Sequence, residues 1–155
     1  MASHSPLHAK DAFTEEALKR ISATVAEVEQ HTSAEIRVSI HDERESDQSG
    51  LPIEKIGEQE FFKLGMEKTK LRNGILLLII YAERKFYVHG DEGIHSRVDP
   101  GTWTDVADVL KSNFSHGHFE EGIHTALKTI SKHLMTALPS TGDSTNELSN
   151  DVVIR

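Results

Sequence analysis

Apolar residues along the chain recur at two spacings, and the switch between them marks the elements. Leu18, Ile21, Val25 and Val28 fall three and four apart, which predicts an amphipathic helix from about Thr14 to His31. Thr14 is a capping residue at its head, Glu15 and Glu16 complement the helix dipole, and Phe13 is placed to staple against Leu18. In "AEIRVSIH" the spacing drops to two: Ile36, Val38 and Ile40 point one way, and Glu35, Arg37 and Ser39 the other. That is a strand with one polar face, and such a face is either wet or functional. Pro52 suits the first turn of a second helix, with Ile53, Ile56, Phe61 and Leu64 as its stripe and Gly65 closing it.

Asn73-Gly74 signals a turn, and Ile75 to Tyr81 is apolar at nearly every position, the pattern of a central strand covered on both faces. The turn "AERK" then returns "FYVHG" beside it as a hairpin. Two more helices follow, about Thr102 to Phe114 and Phe119 to Ala137. Strand, helix, strand is a crossover unit that sets the first two strands parallel. The expected architecture is therefore α/β: a three-layer α/β/α sandwich around a small mixed sheet, combining a parallel crossover with an antiparallel hairpin. We expect residues 1–12 to be flexible, 13–138 to form one domain, and 139–155 to be a polar tail whose "DVVI" can dock.

With 155 residues, 37% hydrophobic and 27% charged, the chain suits one globular domain. The net charge of −8 and the scattered Lys and Arg leave no footprint for nucleic acid. A bilayer core of about 30 Å needs about twenty apolar residues. Ile75 to Ala82 is far too short, so no membrane span is expected. Without cysteine there is no disulfide, thiolate nucleophile or cysteine metal site, and no secretory signal opens the chain; the cytoplasm is the expected compartment.

The topology gathers Glu35, Asn73-Gly74 and Gly90-Asp91 at one end of the sheet. There "GDEGI" sets Gly90 and Gly93 around Asp91 and Glu92, so that backbone can approach an ion closely. Glu35, Asp91 and Asp99 are oxygen ligands suited to a hard cation such as Ca²⁺ or Mg²⁺. The plainer reading is that Asp91 orders a turn and Asp99 caps a helix. The opposite end offers Asp42 and Asp47, in a loop that also reads as solvated. Arg97 is an available cation for a phosphate. Of the ten histidines, only "HGH" with His124 suggests zinc. No G-x-S-x-G elbow or P-loop is present, so an enzyme here works through metal-bound water or carboxylates.

"SAEIRVSI", "EFFKLGMEKTKLRNGILLLIIYAERKFYVHGDEGI", "VDPGTW", "NFSHGHFEEGI" and "NELSNDV" resemble the short, soluble bacterial branch of the TPM-domain family, from about Phe13 to the end. The family is named after a thylakoid lumen protein, a photosystem-repair protein and a nematode receptor accessory protein. The resemblance implies a helix–sheet–helix sandwich and a phosphatase domain with divalent-metal binding. Acid phosphatase activity is associated with photosynthetic members. By position it points to Glu35, Asn73-Gly74, and Gly90-Asp91 with Gly93. The chain departs from the pattern at Ala34, where relatives often have Gly, at His118, where they have Asp, and at Ser149, where they have Pro.

The expected function is a divalent-metal-binding interaction or regulatory module, a monomer that a protein partner recognises. The alternatives are a metal-assisted acid phosphatase acting on phosphomonoesters and a structural domain without a ligand.

Overall fold

All seven residues of β2 (Gly74–Ile80) are buried, and the rest of the molecule is arranged to cover them. The computed structural model describes residues 6–140 and 147–155; the outermost part of the expected flexible start, 1–5, and 141–146 of the expected tail lie outside the described residues. β2 pairs in parallel with β1 (Glu35–His41), Glu35 beside Gly74 and His41 beside Ile80. β3 (Lys85–Gly90) returns antiparallel, with Ile75 beside Gly90. The turn between them is a single 3-10 turn, Tyr81–Glu83, closed by Arg84 at φ +53°.

Helices cover both faces. Ile36, Val38, Ile40, Ile75, Leu77 and Ile79 pack against α2 (Glu15–Glu29), α5 (Gly101–Ser115) and α6 (Phe119–Ala137) in the main core. On the other face Leu76, Leu78 and Ile80 meet Ile56 and Phe61 of α3 (Ile53–Lys63). Each such side chain, fully removed from water, contributes roughly 1.5–3 kcal/mol. The expected three-layer sandwich is thus the observed one, and Thr14 caps α2 by accepting from the Ala17 N–H at 3.2 Å.

Two features go beyond the expected elements. Ahead of Phe13, residues Ala9–Ala12 form a one-turn helix, α1, whose Ala9 is fully buried and whose N–H donates to Asp42 Oδ1 at 2.7 Å. Beyond α6, Val153–Ile154 form β4, parallel to β1 with Val153 beside Ser39, so the sheet order is β3-β2-β1-β4. The polar face of β1 is largely closed: Glu35, Ser39 and His41 are at most 5% exposed, and Arg37 is half-buried.

Candidate functional site

The register places Glu35, Gly74 and Gly90 at one end of the sheet, as the sequence predicts. Asp91 follows β3 there and caps the short α4 (Glu92–His95), accepting from the Glu92 N–H at 2.8 Å. Its carboxylate is already engaged. Arg72 forks onto it at 2.7 and 2.8 Å and reaches Glu92 at 2.7 Å. The two glycines of "GDEGI" serve packing: a Cβ on Gly93 would lie 2.3 Å from the Leu71 carbonyl oxygen, and one on Gly90 would lie 3.0 Å from Ile94. Gly93 also donates its N–H to Arg72 O, which fixes Arg72 over Asp91.

Glu35 stands two strands away from Asp91, on the far side of β2, a separation of about 10 Å by strand spacing. Its partners come from the segment 147–155. Leu148 N–H donates to Glu35 Oε1 at 2.8 Å, and the Glu147 carboxyl hydrogen-bonds with it. Burial pushes Glu35 up to about 7; the Leu148 N–H opposes this, and the Glu147 carboxyl adds to it. Glu147 in turn accepts from the Lys70 N–H at 3.1 Å. Glu29, at the end of α2, is also raised to about 7 by burial, against the bond it accepts from Ile36 N–H and with a further push from the charge of Glu35.

The remaining predicted positions are dispersed. Asp99 is exposed and accepts from Gly101 N–H at 2.9 Å, as a cap does. Asn73 is buried, donating through Nδ2 to Ser33 O while its Oδ1 has no partner among the described residues. Arg97 is exposed on the loop after α4. At the other end Asp42 is taken by Ala9 N–H and His8, which hold its carboxyl below the usual range, and Asp47 is exposed in a 3-10 turn. His124 bonds Thr24 and Glu120 at 2.8 Å each rather than turning toward "HGH". Among the described residues no three His, Asp or Glu side chains are gathered as a metal would gather them. The expected trio of Glu35, Asp91 and Asp99 is therefore not assembled.

Sequence reasoning missed a third buried carboxylate, besides Glu35 and Asp91. Glu60 of α3 is 3% exposed and meets the polar face of β1. Ser39 Oγ donates to its Oε2 at 2.5 Å, and His41 Nε2 and Arg155 Nε lie 3.1 Å from the same oxygen. Burial alone would raise Glu60; His41, Ser39 and Arg155 reverse this and hold it at about 2. The signal was present, since Glu60 occupies the helical position four beyond Ile56, inside the apolar stripe of α3.

A mixed sheet between α3 on one face and α2, α5 and α6 on the other, with paired carboxyls at the head of β1, defines a small α/β/α domain with an acidic sheet end. The chain belongs to the TPM domain family, whose model matches residues 8–133. It is similar to the BA42 protein of the psychrophilic bacterium Bizionia argentinensis, solved by NMR: 26% identity, TM-score 0.83, over 92% of this chain and 95% of that one. The fold is shared with the N-terminal domain of a P. gingivalis protein at 14% identity and TM-score 0.69, over 87% of this chain and 85% of that one. No protein of curated function matches.

Proposed function

We infer that this TPM domain is a divalent-cation-responsive interaction module in which Glu35 and Glu147 are the carboxylates that receive Ca²⁺ or Mg²⁺. The observation that carries the reading is the placement of two carboxyls together at the sheet end: Glu35, buried and raised to about 7, with the Glu147 carboxyl beside it adding to that rise. Two carboxylates this close do not both ionise unless a positive charge joins them. A hard divalent cation supplies that charge, and two carboxylates completed by water or backbone carbonyls suit Mg²⁺ and weaker Ca²⁺ sites. Asp91 in this reading is structural, because Arg72 already neutralises it. Binding at Glu147 would draw in the segment 147–155 and so alter the surface a partner meets.

The test is a titration of the full chain with Ca²⁺ and then Mg²⁺, followed by amide NMR at pH 7.5. Saturable shifts are expected at Glu35, Glu147 and Leu148, absent in Glu35→Gln and retained in Asp91→Asn. Shifts that survive Glu35→Gln but vanish in Asp91→Asn would move the site to Asp91 and end this assignment.

One observation favours a phosphomonoesterase as second reading. Arg37 lies two residues along the same face of β1 from Glu35, and its buried Nε–H has no partner among the described residues, a donor suited to a phosphate oxygen. Turnover of a phosphomonoester that depends on divalent cation and is lost in both Glu35→Gln and Arg37→Gln would establish it.

A further inference from the structure

The segment 147–155 lies along β1 as a ligand lies in a groove. Its ladder with β1 is only two residue pairs long, Val153 with Ser39 and Ile154 with Ile40. It is extended at its Arg155 end by Arg155 N–H donating to Ile40 O at 2.9 Å and Asp42 N–H donating to Arg155 O at 2.8 Å. Main-chain pairing of this kind is how an extended peptide adds to a sheet edge, with side-chain pockets supplying the selectivity. The pockets are visible. Val152 and Ile154 pack against the main core, and Leu148 against Phe61, Met66 and Leu76. Arg155 reaches Glu60, whose surroundings of Ser39 and His41 are themselves buried.

Two features separate this from an ordinary edge strand. Leu148, Val152, Val153 and Ile154 are only half-buried, so the segment sits in the groove without completing the core. The floor, by contrast, holds a carboxylate that is 3% exposed and positioned to take a guanidinium. Among the described residues, Val152 to Arg155 are anchored on β1, Asp42, α2 and α3, with Val152 N–H reaching Ser22 Oγ at 3.3 Å and Arg155 reaching Glu60.

We propose that the β1 edge is a strand-recognition groove for an extended segment of a partner protein, read parallel to β1 as aliphatic–x–aliphatic–Arg, and that residues 147–155 are its resident occupant. The commitment to an arginine-bearing partner rests on charge complementarity with the buried Glu60. The proposal shares the segment 147–155 with the cation reading, since displacing it would take Glu147 from Glu35, and its test is run with a chelator present so that the two are separated.

The probe is a synthetic peptide of residues 147–155, amidated, added to the isotope-labelled full chain. Saturable shifts are expected at Ser22 and Ser39 to Asp42, together with release of the chain's own 152–155 signals. A peptide carrying Arg155→Glu binds at least tenfold more weakly. The informative contrast is between chains: Arg155→Ala weakens only the resident segment, so the wild-type peptide binds it more tightly than it binds the wild-type chain, because apparent affinity scales with the fraction of open groove. In the Arg155→Ala chain, whose resident segment no longer uses Glu60, adding Glu60→Gln lowers peptide affinity at least tenfold. Absence of shifts in both the wild-type and the Arg155→Ala chain at millimolar peptide would overturn the proposal, as would equal binding of the Arg155→Glu peptide. A concentration-dependent dimer indifferent to peptide would assign the groove to a second copy and likewise overturn it.

Discussion

Two glutamates under the same segment of chain are held in opposite electrostatic states. Glu60 and Glu35 are both at most 5% exposed, and both face residues of 147–155. Glu60 meets His41, Ser39 and Arg155 and titrates at about 2, whereas Glu35 meets a main-chain N–H and another carboxyl and is raised to about 7. Burial acts against the charged form of both. The difference lies in what the neighbours supply: one end of β1 sets Arg155 and His41 against its carboxylate, and the other sets a second carboxyl against its own. A buried charge that is paired is part of the scaffold, while one that is unpaired marks a place where a proton or a cation can be exchanged. That contrast, rather than the number of acidic residues, distinguishes the candidate site from the framework.

The largest effect is expected where the pairing is complete. Glu60→Ala removes the one acceptor shared by His41, Ser39 and Arg155, and breaking a buried ionic group in this way costs on the order of 3–5 kcal/mol. Urea unfolding monitored by circular dichroism measures it. A loss below about 1 kcal/mol would mean that the cluster is open to water and that the two ends of β1 do not differ as described.

The pH dependence sharpens the same contrast, because the signs are opposite. Glu60 is lowered from its ordinary 4.5 to about 2, so the stability it contributes is present above pH 4.5 and is lost as pH falls toward 2. Glu35 is raised from 4.5 to about 7, so the folded state holds the extra proton between those values, and stability falls as pH rises through that window and is flat above it. Glu29 adds a fall of the same sign. Glu35→Gln should therefore flatten the decline between pH 5 and 8 by about 1–2 kcal/mol after allowing for partial solvation. Thermal melts across that range check it, and an unchanged slope in the variant would remove Glu35 from the list of unpaired groups.

Much of this architecture was legible in the residues. The switch from the spacing of Leu18, Ile21, Val25 and Val28 to that of Ile36, Val38 and Ile40 located α2 and β1, and the unbroken run Ile75 to Tyr81 identified the central strand. The site was legible only to the level of the sheet end. Topology brings Glu35, Gly74 and Asp91 to that end, but local sequence does not reveal that Arg72, held at φ +51°, folds back to neutralise Asp91. Nor does it reveal that Glu147, 112 positions from Glu35 by their numbers, supplies the second carboxyl. Such pairings depend on where a long-range segment docks, and a two-residue strand leaves almost no periodic signal.

The smallest expected effect is a deliberate test of that limit. Asp99 is a natural third ligand by sequence, yet its side chain is exposed and accepts the Gly101 N–H at the head of α5. Asp99→Ala should cost about 0.5–1 kcal/mol, the value of an exposed capping bond, and should leave the Ca²⁺ or Mg²⁺ titration of Glu35 unchanged. Isothermal titration of the variant separates the alternatives. A tenfold weaker cation affinity would require Asp99 to swing to the sheet end on binding, and the distinction between Glu35 as an exchange site and Asp99 as framework would then fail.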